Sequence, residues 1–223
     1  MIVATPPEEQ PAFSIAMVMY HHMDPLDLVG PFEVLSRLPN AKLSMVAATN
    51  EAVTASPTLP MLPSHGFADI PAADILFVPG GPGHRDMLHD EAMLSFLRRV
   101  GSTATFVSSV CTGSLLLGAA GLLDGYECTS HWMCLEELTA YGARPVSRRV
   151  VVDRNRITGA GVSAGIDLAL VIAAMLCGEE VARRIQLLIE YDPDPPFNAG
   201  SPSKAEPELV REMRAGYLKS RQP

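Results

Sequence analysis

The stretch Phe106-Val107-Ser108-Ser109-Val110-Cys111-Thr112-Gly113-Ser114 carries the side chain best suited to covalent chemistry. An apolar, β-prone run over residues 104–110 ends on Cys111, and small residues then open a second apolar run over residues 115–120. The pattern reads as strand, sharp turn and helix, with the cysteine at the bend and its side chain raised above the end of a sheet. Unpaired N–H groups at a helix start favour an anion, so the expectation is a thiolate with a lowered pKa. Thr112 offers a hydroxyl beside the sulfur, and Gly113 lets backbone approach closely. The plainer alternative is a small buried apolar residue, the ordinary fate of a free cysteine.

Other candidates fall in loops that should reach the same edge. Asp27 follows the first apolar run and could exchange a proton with the sulfur, or simply favour a helix start. Gly80-Gly81 could aim backbone N–H groups at a developing negative charge, or just make a tight turn. His131 near another strand end reads as a structural histidine or a reserve acid–base group. His21 and His22 are adjacent, so their side chains diverge and do not chelate. Gly159-Ala160-Gly161 lacks the lysine and spacing of a phosphate loop. The four cysteines, Cys111, Cys128, Cys134 and Cys177, show no CxxC spacing, which argues against a zinc site or a disulfide framework.

The elements that must position these residues alternate between strand and helix. Strands are expected over residues 13–20, 42–49, 74–78 and 104–110, each apolar on both faces as buried parallel strands are. Helices are expected over residues 26–38, with Gly30-Pro31 kinking or interrupting the first, then 90–100 and the run after Cys111. Residues 51–71 hold four prolines and read as irregular, with room for short hairpin strands. A short strand over 127–130, a helix over 131–141 and a hairpin about Arg154-Asn155 come next. Helices over 162–175 and 179–191, a proline-rich loop over 192–202 and a polar helix over 205–219 close the chain. Such alternation implies an α/β fold with a parallel sheet covered on both faces and ligands at the carboxyl ends of its strands.

Composition narrows the classes. The chain has 223 residues, 48% hydrophobic and 19% charged, which suits one globular domain over residues 13–223. No apolar run reaches the length of a membrane span. With 17 Lys+Arg against 25 Asp+Glu, the net charge of −8 argues against a nucleic-acid surface. Residues 1–12 lack a basic region and an apolar core, so they read as a short flexible lead, and a reducing cytoplasm is the expected compartment.

Several segments together resemble one family. Ser109-Val110-Cys111-Thr112-Gly113, Ala119-Ala120-Gly121-Leu122-Leu123, Ser130-His131-Trp132 and Thr158-Gly159-Ala160-Gly161 are similar to the PfpI superfamily, relatives of the type 1 glutamine amidotransferases. Within it, Leu26-Asp27-Leu28-Val29-Gly30-Pro31, Glu190-Tyr191 and the segment from Pro195 to Pro202 resemble the isocyanide hydratases. The likeness runs from about Phe13 to Pro202. It implies a flavodoxin-like three-layer sandwich with a mostly parallel central sheet, assembled as a homodimer. It also implies a nucleophilic Cys111 with Asp27 as general acid and base, acting on a small-molecule substrate without metal or organic cofactor. An isocyanide would become an N-substituted formamide through a thioimidate on Cys111. The N–H groups of Thr112 and Gly113, with those of Gly80 and Gly81, would hold the developing charge.

The chain departs from that pattern at Ala160 and Val162, where Gly and Ile are expected. Relatives supply the rival readings. The proteases and glyoxalases carry Glu in place of Asp27, and the proteases carry His in place of Thr112. AraC-like regulators use a similar domain as a sensor ahead of a helix-turn-helix domain of about 100 residues, against which residues 203–223 are short and not basic. A freestanding thiol sensor, or a deglycase-type relative, completes the alternatives.

Overall fold

Runs that are apolar on both faces become the inner strands of a single sheet, because helices cover it on either side. The computed structural model describes residues 13–219, so the expected lead over residues 1–12 lies outside the described residues. β1 (Phe13–Val18) leads into α1 (Pro25–Leu35) and β2 (Ala41–Ala47). The proline-rich stretch forms a small antiparallel hairpin, β3 (Val53–Ala55) with β4 (Leu59–Met61), and the short edge strand β5 (His65–Gly66). Next come β6 (Ile75–Val78), α2 (His84–Met87), α3 (Glu91–Gly101), β7 (Phe106–Val110) and α4 (Gly113–Ala119). β8 (Glu127–Cys128) pairs with β9 (Arg144–Pro145) beside the sheet. The hairpin β10 (Val150–Asp153) and β11 (Arg156–Gly159) then precedes α5 (Ala164–Cys177), α6 (Glu179–Leu188) and α7 (Pro207–Lys219).

The strand order is β10-β11-β7-β6-β1-β2-β5, parallel except at the β10–β11 hairpin. From β1 the chain moves outward to β2, whereas from β6 it moves the other way to β7. Right-handed crossovers in opposite directions place α1 and α3 on opposite faces. The reversal between β1 and β6 is the switch point where loops splay apart and leave a crevice. Cys111 and Asp27 both lie on loops or first turns at that edge.

Local differences from the sequence reading have physical causes. α1 runs unbroken through Pro31, although a proline there removes the hydrogen bond that Asp27's carbonyl would receive. Gly165 of α5 accommodates the ring: a Cβ on Gly165 would stand 2.9 Å from Pro31 Cγ. The helix expected over 131–141 is a 3₁₀ segment, Leu135–Tyr141, with His131 in the turn before it. α2, four residues long, carries too little pattern to be read. Among the described residues no helix is long and apolar enough to cross a membrane, and no group of three or more His, Cys, Asp or Glu could hold a metal ion.

Candidate active site

Cys111 sits at the end of β7 with φ of 57°, a left-handed conformation that L-residues other than glycine rarely adopt. Such a conformation costs on the order of 1–3 kcal/mol and must be held from outside. Four hydrogen bonds hold it. The Cys111 N–H donates to the carbonyls of Gly159 at 3.1 Å and Ala160 at 2.7 Å. Its own carbonyl accepts from Ser130 Oγ at 3.0 Å and Ser114 Oγ at 3.2 Å. At about 0.5–1.5 kcal/mol each, these bonds together match or exceed the strain. Ala160 thus serves through its carbonyl, a role that does not depend on its side chain.

Asp27 is fully buried in the first turn of α1. Its Oδ2 accepts from the Gly80 N–H at 2.8 Å, while its Oδ1 has no hydrogen-bond partner among the described residues. The anchor requires glycine. A Cβ on Gly80 would lie 2.4 Å from the Thr112 nitrogen and 2.9 Å from Asp27 Oδ2. Gly81 adopts φ of 123° and passes its N–H to Thr112 Oγ1 at 3.0 Å. Gly113 lets the helix start press on the β6 loop, since a Cβ there would stand 2.3 Å from the Val78 carbonyl oxygen. Tyr20, at the end of the first apolar run, donates to the Pro79 carbonyl at 2.9 Å and ties the same loop to β1.

Electrostatics couple the sulfur and the carboxyl. Burial pushes Asp27 up to about 8, with the nearby Asp24 charge adding to it, against the Gly80 N–H and the Cys111 thiol, which favour the anion. Burial also pushes the Cys111 thiol up, followed by the Asp27 charge, and the Thr112 N–H pulls it down by less. Two groups this close titrate as a pair, and their protons belong to the pair rather than to either atom. The expected low thiol pKa is therefore corrected. α4 is only seven residues long, and desolvation with a neighbouring carboxyl outweighs its N-terminal field.

Two further expectations change. Gly80 and Gly81 N–H groups are engaged by Asp27 and Thr112, so they position the acid rather than lie open as an oxyanion hole. The Thr112 hydroxyl faces Gly81, and it is the Thr112 backbone N–H that meets the sulfur. His131 is half-buried beside Gly161, with no hydrogen bond to Cys111 or Asp27 among the described residues. Its Nδ1 accepts the Met133 N–H at 3.4 Å, so Nε2 carries the proton, and burial lowers its pKa towards the neutral ring. Sequence reasoning missed Ser114, Ser130, Tyr20 and the Ala160 carbonyl as holders of the site. Only the position of Ser130 just before His131-Trp132 signalled one of them.

The DJ-1/PfpI family model matches residues 13–175. Isonitrile hydratase of Pseudomonas putida is 44% identical over 203 residues, covering 91% of this chain and 89% of that protein. The HTH-type transcriptional regulator GbdR of Pseudomonas aeruginosa is 30% identical over 195 residues, 84% of this chain, which spans only 53% of the regulator's length. Among solved structures, a THiJ/PfpI family protein from Pseudomonas syringae matches with a TM-score of 0.92 at 41% identity, over 96% of this chain and 93% of that one. Drosophila melanogaster DJ-1beta, with a TM-score of 0.73 and 23% identity, shares the fold.

Proposed function

From the premise that the chain belongs to the DJ-1/PfpI family, we propose that its Cys111–Asp27 pair hydrates isocyanides to N-substituted formamides. One observation carries the reading: a fully buried carboxyl, anchored through Oδ2 and unpartnered at Oδ1, coupled to a cysteine held at a strained bend. The similarity to isonitrile hydratase, isonitrile being a synonym of isocyanide, supports this substrate class.

The chemistry follows the pair's protons. With one proton between them, the sulfur attacks the terminal isocyanide carbon as Asp27 gives that carbon the proton, leaving a thioimidate and a carboxylate. The carboxylate then takes a proton from water, whose oxygen adds to the thioimidate carbon. Asp27 returns this proton to nitrogen. It next takes the hydroxyl proton as the carbonyl forms and the sulfur leaves. The products are a formamide and the pair with its one proton restored. The Thr112 N–H stabilises the sulfur each time it carries charge.

A sensor of oxidants requires a thiolate at rest, and the raised thiol pKa disfavours that alternative. We place the working unit as a homodimer, since α1, the helix that bears Asp27, exposes Leu26, Val29 and Phe32 three residues apart on one side. Four cysteines with no disulfide between any two of them among the described residues suit a reducing compartment such as the cytoplasm. The test is turnover of small aliphatic and aromatic isocyanides, with methylglyoxal alongside, by wild type and Cys111→Ala. Formamide formed by wild type and abolished in the variant supports the reading. Turnover of methylglyoxal alone, or of neither, refutes it.

A further inference from the structure

The turn that anchors Asp27 is itself clamped by a residue outside the reacting pair. His84, the first residue of α2, is buried, and its Nδ1 lies 2.8 Å from the Gly81 carbonyl oxygen. A carbonyl can only accept, so Nδ1 carries the proton and the ring is the donor. The same oxygen accepts from the His84 backbone N–H at 3.1 Å and from Thr112 Oγ1 at 3.3 Å. Three donors thus converge on one carbonyl in a turn whose glycine, at φ of 123°, has no side chain to restrict it. One residue earlier, the Gly80 N–H donates to the Asp27 carboxyl at 2.8 Å, the one backbone donor on it among the described residues. The Asp24 N–H holds the Gly80 carbonyl at 2.8 Å, and the His84 ring makes the shortest of the three contacts on the Gly81 carbonyl that follows it.

We propose that His84 is a positioning residue, whose Nδ1–H holds Gly81 so that the Gly80 N–H stays on the Asp27 carboxyl. The proposal rests on the reading of Asp27 as proton carrier for its kinetic consequence, but not for its structural one. Losing the clamp loosens a bond that favours the carboxylate, so the Asp27 titration moves to higher pH. Asp24, Cys111 and Tyr20 are the titratable groups facing Asp27, and none of them bonds to His84, though the Asp24 N–H and the Tyr20 hydroxyl hold the carbonyls of Gly80 and Pro79 in the same loop.

The experiment follows the Asp27 carboxyl carbon by ¹³C NMR across pH, assigned by its absence in Asp27→Asn. In His84→Leu the inflection is expected to rise by roughly one pH unit, the size of one hydrogen bond to a charged group. At pH 7 kcat/KM on an isocyanide should fall about tenfold, since one unit changes the carboxylate fraction of the free enzyme by that factor. His84→Asn, whose amide nitrogen falls where Nδ1 lies, should restore both. His84→Gln, whose amide reaches the Nε2 position instead, should follow Leu, and it decides the matter should Leu fail to fold. An inflection unmoved in the Gln or Leu variant, or moved as far in Asn, overturns the clamp. The titration needs no turnover, so a protein inert to isocyanides that still shows the Leu–Asn contrast refutes the hydratase reading alone.

Discussion

Replacing Asp27 by Asn separates the carboxyl's shape from its proton. The Asn carbonyl can accept the Gly80 N–H as Oδ2 does at 2.8 Å, and its amide nitrogen then fills the place of the unpartnered Oδ1. The anchor survives, but nothing is left to carry a proton between sulfur, carbon and water. Loss of a general acid–base group costs on the order of 10²–10⁴-fold in kcat, or about 3–5 kcal/mol of barrier. The pH profile follows from the pair. With the carboxyl titrating at about 8, about nine-tenths of wild-type sites hold both protons at pH 7 and one-tenth hold one. Below that inflection the sulfur is a thiol with no base beside it, so kcat/KM should rise about tenfold per pH unit towards pH 8 and level off above it. Asp27→Asn should lose the inflection along with the rate. Formamide release measured by chromatography from pH 6 to 9 would reveal both. Turnover by Asn within about threefold of wild type, or a wild-type kcat/KM that falls between pH 6 and 8, would refute the reasoning and make His131 the next group to replace.

The same carboxyl should govern stability. Its folded pKa of about 8 exceeds the unfolded value near 3.9, so the unfolded chain releases a proton between pH 4 and 8 that the folded chain keeps, and stability falls as pH rises through that window. Asp27→Asn should therefore melt above wild type at pH 8, by a margin of a few kcal/mol at most, with the margin closing towards pH 4 in calorimetry; equal margins at both pH values count against a buried neutral acid. Gly80→Ala, whose Cβ would stand 2.4 Å from the Thr112 nitrogen, should lose about 1–3 kcal/mol in denaturant titration and most of its turnover, because the atom it meets is backbone. Limiting iodoacetamide should label half-buried Cys177 ahead of Cys128, which burial pushes up to about 11. Mass mapping should find Cys111 labelled faster at pH 9 than at pH 6 by more than in Asp27→Asn, because only the ionised carboxyl gives its thiol a base. Light scattering over a dilution series should report a dimer for wild type and a monomer for Phe32→Glu, and a wild-type monomer throughout removes the proposed α1 contact.

Cys111 was legible because a β-prone run that switches abruptly to Thr-Gly-Ser leaves the chain little choice but to bend there. Asp27 was legible as an acid following a strand. The residues that make them a site were not, since they come from distant parts of the chain. Ser130 reaches Cys111 across 19 positions, Gly80 reaches Asp27 across 53 and Tyr20 reaches Pro79 across 59. Local pattern carries no information about such pairings. The thiol's pKa was misjudged for a related reason: a helix start is visible in sequence, but the depth of burial that outweighs it is a property of the packed sheet. Gly80-Gly81 could be read as donors, yet not what they would donate to.

The departures from ordinary local rules gather where the chemistry is proposed. A non-glycine at φ of 57°, a fully buried acid with an orphan oxygen and a proline inside α1 all lie within the two segments that meet at the switch point. Pro31 belongs with them, because it lacks the N–H that would bond the carbonyl of Asp27 itself. The other left-handed non-glycines, His22, Asn40, Arg154 and Glu190, sit in exposed turns, whereas Cys111 is buried, so the packing around it is what can hold a strained bend and a buried acid in place. The raised carboxyl pKa is then the energetic link between fold and proposed function. The burial that weakens the protein above pH 4 also keeps a proton available to a carbon that must gain one.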